Sequence, residues 1–424
     1  MHLYCGLRGY VEKFAKERDY VVEYEFDNSD KQFSVVEAKQ FCESLKLPFE
    51  VKDYQLKTFI KCVRQGRALC LSPTSSGKSL MIYLLYQYYS GKTLIICPTV
   101  NLVLQMASDF ASYGMDSDDI HKIFSGEEKD SDKPLCISTW QSLHKLPKEY
   151  FDQYDVITVD EAHGAQATTL KGMMEKAVNC DHKFGWTGTL SGTTTHLLVL
   201  TGLFGRLIEN ITTADMITQG HASQLEIKCI LLKHPEINCK LLKKAVYQDE
   251  IDFIISNGNR NKFIKNLALS LDGNTLILFR LVEKHGKVLY DEIQNSKETE
   301  QFGLSINFVH GEIEAEDREA IRKIIEGAKR SITVASYGTF STGVNIPRID
   351  NIIFSSPYKS RIKVLQSIGR GLRLAEGKSL CTVFDIADDL SYKKHQNHTL
   401  KHFAERVTLY AKENFNYKLY RVEL

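Results

Sequence analysis

Gly77-Lys78-Ser79 follows a short apolar run, Leu69-Cys70-Leu71, and a loop of small residues, and it opens an apolar helical stretch from Leu80 to Tyr89. The backbone N–H groups of such a loop, and the positive end of the helix behind it, face phosphate oxygens. Lys78 supplies a point charge for β- and γ-phosphates, and the Ser79 hydroxyl is a ligand for Mg2+. Thr74, Ser75, Ser76 and Gly77 complete the expected cradle for a triphosphate. The general phosphate-loop pattern has glycine five residues before its last glycine, and here that place is Ser72. Alone, the stretch also reads as a polar strand-to-helix turn.

Asp160-Glu161-Ala162-His163 follows a second apolar run, Val156 to Val159. The chain must turn at this strand end, so both carboxylates can approach one bound nucleotide. Asp160 is placed to hold Mg2+ opposite Ser79, and Glu161 to orient and deprotonate an attacking water. The plain alternative is a loop that happens to be acidic. Trp186-Thr187-Gly188-Thr189 follows the next apolar run and by itself is a glycine turn with hydroxyl caps.

Gln366 to Arg373 reads as helical, with Arg370 and Arg373 three apart on one face. Two guanidiniums aimed at a γ-phosphate held by another domain would act as arginine fingers, a group worth about 10³–10⁵ in rate in GTPases. The alternative is a solvated basic face running on from Lys359, Arg361 and Lys363.

The elements that must position these residues repeat one grammar. Apolar strands are predicted at 68–71, 93–97, 135–138, 156–159 and 182–186, with helices at 54–64, 101–113 and 168–178 between them. Near 212–224 the pattern lapses. It resumes with strands at 225–232, 275–279, 306–309, 331–336, 351–354 and 380–384, and helices at 282–294, 315–327 and 361–372. Continuous apolar strands alternating with amphipathic helices imply parallel sheets covered on both faces, with ligands at the carboxyl ends of the strands. The fold class is α/β, with two tandem domains at 51–220 and 221–390. Residues 1–50 are expected to be a small, truncated α/β segment, with helices at 6–18 and 33–45 and a strand at 20–26. Residues 391–424 are expected to be a basic, aromatic helix and a strand packed on the second domain. Lys393, Lys394, His395, His398, Lys401 and His402 there either grip nucleic acid or form an ordinary solvated helix.

The chain has 424 residues, 43% hydrophobic and 25% charged, with a net charge of +1. Two sizeable cores are affordable at this length. Any nucleic-acid binding must therefore come from local charge. The ten cysteines form no C-x-x-C pair, and several sit in apolar strands, as reduced core thiols in a cytoplasmic protein would. No apolar run is long enough for a membrane span, and the start lacks a signal-peptide core.

Taken together, these motifs resemble those of the superfamily 2 helicases and translocases over roughly residues 50–390. Tyr54-Gln55 resembles the adenine-reading element, Ser72–Ser79 motif I, Pro98-Thr99 with Gln105 motif Ia, and Thr139-Trp140-Gln141-Ser142 motif Ib. Asp160–His163 spells the DEAH form of motif II, and Thr187–Thr189 resembles motif III. His310-Gly311, Ser336 with Thr342-Gly343-Val344-Asn345, and Gln366–Arg373 resemble motifs IVa, V and VI. Within the superfamily the likeness is strongest to the phage UvsW group of recombination and branch-migration helicases. It is carried by stretches such as Thr139-Trp140-Gln141, Phe204-Gly205, Val334 to Gly343 and Phe415-Asn416-Tyr417.

The resemblance implies two RecA-like domains and an ATP- and Mg2+-dependent enzyme that remodels branched DNA by fork regression, Holliday-junction migration and unwinding of D-loops or RNA–DNA hybrids. It places Lys78, Asp160, Glu161, His163, Gln366, Arg370 and Arg373 among the catalytic residues. Tyr54, Gln55, Gly343 and Asn345 join the phosphate loop in holding nucleotide. Pro98, Thr99, Thr139, Gln141, His310, Gly311, Ser336 and Thr342 are implied nucleic-acid contacts. Asn345 stands where many relatives have Asp for the ribose. A monomer is expected, with a single-strand-binding protein as a candidate partner and a host-cytoplasmic location. The competing readings are the translocating subunit of a restriction system, an RNA helicase, and an annealing module without catalysis.

Overall fold

The computed structural model describes residues 3–23, 31–163, 167–190, 194–311, 313, 315–342, 348–375 and 377–424. The chain divides into two compact units, Met1–Thr212 and Thr213–Leu424.

The first unit is built on a sheet of seven parallel strands: β1 (Arg67–Leu71), β2 (Thr93–Cys97), β3 (Ile120–Ile123), β4 (Leu135–Thr139), β5 (Val156–Val159), β6 (His182–Thr187) and β7 (Leu207–Glu209), in the order β3-β4-β2-β5-β6-β1-β7. The central strands are apolar throughout because both sheet faces are covered, as the fully buried β2 and β5 show. One face packs against α3 (Asp53–Gln65), α4 (Lys78–Tyr89) and α5 (Val100–Ser112) through Phe59, Met81, Leu84 and Phe110. The other packs against the helices Ala167–Lys176 and Thr194–Phe204 through Leu170, Met173, Leu200 and Phe204.

Two strands were not legible in the sequence. β3 is interrupted by polar His121 and Lys122, and β7 is three residues long at the opposite edge. The described part of residues 1–50 is helical, with α1 (Arg8–Lys16) and α2 (Val35–Ser44). The expected strand at 20–26 is not there in its described part. Tyr20 to Glu23 have no regular structure, and Tyr20 and Val21 stand exposed, paired with no strand among the described residues; 24–26 lie outside the described residues. Helix α2 starts where Ser34 and Glu37 satisfy each other's backbone N–H in a capping box.

The second unit has its own seven-stranded parallel sheet: β8 (Gln224–Lys233), β9 (Asn274–Phe279), β10 (Ser305–Val309), β11 (Ser331–Ser336), β12 (Asn351–Phe354), β13 (Leu380–Asp389) and β14 (Tyr417–Glu423), in the order β10-β11-β9-β12-β13-β8-β14. The two sheets covered by helices are those of tandem RecA-like domains. Strand β13 runs to Asp389, five residues past the expected end, because its ladder with β8 continues to Lys233.

Buried ion pairs lock the second unit around β13. Arg406, on the helix His398–Lys412, meets Asp385 with both prongs at 2.9 and 2.7 Å and donates to Tyr358 O at 3.0 Å. Arg260 meets Asp388 at 2.8 Å and donates to Ser355 O at 2.7 Å. Both arginines thus hold the Ser355–Tyr358 segment that leads from β12 into the helix Arg361–Gly371. The expected basic helix at the end begins only at His398; Lys393 and Lys394 sit instead on a tight turn. Among the described residues, no helix is long and apolar enough to cross a membrane.

Candidate active site

The sheet order sets the site in the first unit. Strands β5, β6 and β1 are neighbours and parallel, so the segments leaving their carboxyl ends meet at one edge. These segments are Ser72–Ser79 after β1, Asp160–His163 after β5 and Thr187–Thr189 after β6.

Lys78 lies at the start of α4 and reaches across to the second segment. Its Nζ is 2.6 Å from Glu161 Oε1 and 3.9 Å from Asp160 Oδ1. Asp160 is buried, and its carboxyl is pushed up to about 6 by that burial, against the pull of Lys78 and with the push of Glu161. Glu161 sits in a left-handed backbone conformation, φ 49°, which is uncommon for a side chain of its size. The chain is bent there from both sides. Asp160 N–H donates to Ile96 O at 2.9 Å, and Ala162 N–H to Trp186 O at 2.8 Å. Left-handed strain of this kind gathers at functional sites.

His163 binds the third segment. Its Nδ1 is 2.6 Å from Thr187 Oγ1 and 3.3 Å from Glu161 Oε2. Thr187 donates its own proton to Thr189 O at 2.6 Å, so the imidazole must be the donor between the two, which fixes the Nδ1–H tautomer. Burial lowers the His163 pKa, and nearby Lys78 opposes its charging further, although Glu161 favours it.

The phosphate loop has left-handed backbone at Ser75 (φ 69°) and Gly77 (φ 80°). Gly77 suits that conformation, and a Cβ there would also lie 2.3 Å from the Gln55 amide nitrogen and displace the side chain that braces the loop. Ser72 and Ser76 are fully buried and turned under the loop. Asn210 donates to Ser72 Oγ at 2.9 Å, Ser72 and Ser76 hydroxyls meet at 2.6 Å, and Ser76 Oγ reaches Pro73 O at 2.7 Å. Thr58 on α3 ties down the other end of Asn210 at 2.7 Å. The serine in place of glycine is thus one link in a hydrogen-bonded chain beneath the loop. Motif matching missed Asn210 and Thr58, because neither belongs to a phosphate-loop pattern.

Tyr54 and Gln55 both donate to Ser76 O, at 3.1 and 3.0 Å, and Gln55 Oε1 accepts from Lys52 N–H at 3.0 Å. The adenine-element residues therefore brace the loop directly. The Ser79 hydroxyl lies 2.9 Å from that of Tyr113, a contact that nothing in the motif pattern signalled.

The implied nucleic-acid residues of the first unit also meet at strand ends. Thr99 caps α5, accepting from Leu102 N–H at 3.4 Å, and Gln141 donates to Pro98 O at 3.3 Å. Thr139 Oγ1 and Ser142 Oγ are 3.0 Å apart. In the second unit, His310 and Gly311 follow β10, and Ser336 ends β11, where it caps the next helix by accepting from Thr339 N–H at 3.2 Å. Thr342 closes that helix. Gly343 and Asn345 lie outside the described residues.

Gln366 and Arg370 lie on the helix Arg361–Gly371. Arg370 is mostly buried, its guanidinium carbon 5.7 Å from the centre of the Phe340 ring. Arg373, expected on the same helix as Arg370, lies just beyond it, because the helix ends at Gly371 and Leu372 is its cap. The carbonyls of Gly371 and Arg373 are held instead by the Lys378 ammonium.

A lysine on two strand-end carboxylates behind a phosphate loop, in the first of two RecA-like units, is the arrangement of a P-loop NTPase motor. The comparisons agree. Residues 38–192 match the family model for the type III restriction enzyme res subunit, and residues 258–375 the helicase conserved C-terminal domain. The chain is 34% identical over 447 residues to the ATP-dependent DNA helicase uvsW of Enterobacteria phage T4, spanning 99% of this chain and 88% of the relative. It is 22% identical to putative helicase 22 of Sulfolobus islandicus filamentous virus, over 80% of this chain and 64% of the relative. The structure of Mss116p bound to ssRNA and AMP-PNP superposes with a TM-score of 0.60 at 15% identity, covering 94% of this chain and 82% of the other, which bears on the fold alone. The chain belongs to the UvsW family of superfamily 2, and it is an ATP-dependent helicase.

Proposed function

We propose that this helicase couples Mg2+-dependent ATP hydrolysis to translocation on DNA and remodels branched substrates: regressed forks, Holliday junctions, D-loops and R-loops. The observation that carries the reading is the Lys78 ammonium held between Glu161 and Asp160. The choice of DNA rests on the 34% identity to a DNA helicase over nearly the whole chain.

The donor set fits Mg2+. Ser79 and Asp160 offer hard oxygen ligands, and no three His, Cys, Asp or Glu gather into a closed cage among the described residues. Mg2+ typically takes one or two carboxylates and leaves its other positions to phosphates and water. When bound, it would neutralise charge on the β- and γ-phosphates.

The chain's own residues do the rest. Lys78 exchanges Glu161 for phosphate oxygens, which frees that carboxylate to orient a water and take its proton. His163, neutral and donating to Thr187, ties the carboxylate segment to the segment after β6. Gln55 reads the adenine edge while bracing the loop through Ser76. The family resemblance assigns Gln366, Arg370 and Arg373 to hydrolysis, and Gly343 and Asn345, which lie outside the described residues, to nucleotide recognition. Thr99, Thr139, His310, Ser336 and Thr342 meet phosphates, so binding is largely independent of sequence. The motor works as a monomer beside a single-strand-binding protein.

The test compares ATP hydrolysis and strand remodelling on forks, four-way junctions, R-loops and plain duplex. Preferential turnover on branched substrates supports the reading. Equal activity on all of them overturns it in favour of a plain translocase, and activity on an added RNA duplex alone overturns it in favour of an RNA helicase.

A further inference from the structure

Two lysine-bearing stretches about 150 residues apart in sequence converge on one ring. Lys243 Nζ is 5.7 Å from the centre of the Tyr392 ring, and Lys393 Nζ is 5.6 Å from the same centre. Lys240 and Lys244 stand exposed beside the first, and Lys394 beside the second. Both stretches rest on a small apolar cluster of Cys239, Ile254 and Leu390, against which Leu242 and Tyr392 pack. The lysines are thus mounted on a shared base.

Three of the local carboxylates are already engaged elsewhere. Asp388 is buried against Arg260 and His234, and Asp389 pairs with Lys233 at 3.2 Å. Glu250 is buried and accepts from His398 N–H, Thr399 N–H and the Asn397 amide at 2.7–2.8 Å. Glu236 and Asp249, which flank the Lys240–Lys244 stretch in sequence, are exposed, against the five lysines Lys240, Lys243, Lys244, Lys393 and Lys394. On a chain whose net charge is +1, this is a local excess of positive charge.

The backbone adds an independent sign. Tyr392 and His395 exchange both backbone hydrogen bonds at 3.0 Å, so Lys393 and Lys394 form the tip of a two-residue turn. Lys393 has φ 53°. A left-handed first position in such a turn favours glycine. An exposed lysine at a position that favours glycine is an outlier of the kind that gathers at functional sites.

The placement suggests the ligand. The lysines follow the carboxyl ends of β8 and β13, the same sheet edge from which His310 and Ser336 emerge after β10 and β11. From β11 to β8 the sheet spans four strand intervals, roughly 19 Å at ~4.8 Å each. A nucleic-acid strand advancing 3.4 Å per nucleotide covers that in about five to six steps. We propose that Lys240, Lys243, Lys244, Lys393 and Lys394 form a second phosphate-binding surface, which grips the DNA backbone beyond the motif contacts. The proposal rests on the DNA-motor reading above and adds a site to it.

The test uses the full chain, with labelled single strands of 6 and 20 nucleotides titrated at several salt concentrations. The variants are Lys393→Gly alone and a fivefold change that adds Lys240→Ala, Lys243→Ala, Lys244→Ala and Lys394→Ala. The fivefold variant should keep wild-type affinity for the 6-mer. On the 20-mer its salt slope should fall by about 3.5, at ~0.7 for each of the five lost phosphate contacts on single strands. Lys393→Gly should bind the 20-mer more weakly yet melt no lower than wild type, because the turn is relieved. An unchanged slope and affinity on the 20-mer would overturn the surface, as would equal losses on both lengths. Wild-type protein that binds neither strand would overturn the DNA reading, and this surface with it.

Discussion

The hydroxyls of Tyr113 and Ser79 lie 2.9 Å apart, which joins the end of one helix to the expected metal ligand on another. Helix α5 begins at Thr99, an implied nucleic-acid contact, and Tyr113 is its cap at the far end. When Ser79 donates its proton to Tyr113, its lone pairs are left for Mg2+, the kind of outer partner that typically governs metal affinity by 10–100-fold. Tyr113→Phe should therefore raise the Mg2+ needed for half-maximal binding of a fluorescent ATP analogue by about 10-fold, with the melting temperature near wild type. If Ser79→Ala shifts that requirement and Tyr113→Phe does not, Tyr113 is packing only.

Lys78 and Glu161 should separate binding from chemistry. Lys78→Ala removes a phosphate contact and also leaves Asp160 and Glu161 facing each other without a cation, so nucleotide affinity should collapse. Glu161→Gln keeps the shape and the loop, and hydrolysis should fall by about 10²–10⁴, the usual worth of a general base, while nucleotide still binds. Parallel binding and turnover assays check both. Ordinary turnover by Glu161→Gln would assign the base elsewhere.

The Arg406–Asp385 pair is expected to matter for stability first. Arg406→Ala leaves a buried carboxylate whose other partner is the Tyr410 hydroxyl at 2.8 Å. Breaking a buried pair from one side typically costs about 3–5 kcal/mol. Denaturant unfolding of the intact chain should show a loss of that size in the transition of the second unit. A loss below about 1 kcal/mol, the range of exposed pairs, would show that Asp385 finds another partner.

His285 gives the second unit an acid sensitivity. Its imidazole is buried, with Nδ1 2.9 Å from Ser356 Oγ, and its pKa is lowered to about 3 by burial first and then by the nearby Arg260 charge, with Asp388 opposing. The unfolded chain would protonate this group near 6.5. The unfolded state therefore binds more protons at every pH between those values. The stability contribution is complete above about 6.5 and declines as pH falls toward 3, at no more than about 1.4 kcal/mol per pH unit. His285→Gln should flatten the stability–pH curve over that window. An unaltered slope in the variant would place the titration in other histidines.

Much of the first site was legible because its chemistry demands particular residues at fixed strand ends. Gly77, Lys78, Ser79, Asp160 and Glu161 follow apolar runs, and parallel pairing brings those ends together. What stayed hidden depends on contacts distant in sequence: Asn210 with Ser72, Tyr113 with Ser79, His163 with Thr187. Strand β3 was missed because His121 and Lys122 break its apolar pattern at a sheet edge. The strand expected at 20–26 was misleading for the opposite reason. Its apolar–polar alternation is present, but Tyr20 and Val21 stand exposed and pair with no strand among the described residues. Arg373 was placed on a helix by spacing alone, and spacing does not say where the helix stops.

The serine at position 72 has a consequence for how this loop can change over generations. Asn210, Ser72, Ser76 and Pro73 form one relay, anchored by Thr58. A glycine at 72 would remove the hydroxyl that joins the Asn210 amide to Ser76, leaving that amide only the weak Met81 sulfur contact at 3.7 Å, so the seemingly improving substitution is the harmful one. Neighbours that share a network do not contribute independently. Positions 58, 72, 76 and 210 are expected to be inherited as a set. A chimera that takes the loop from a relative with glycine there would need the matching residue at 210 from the same parent.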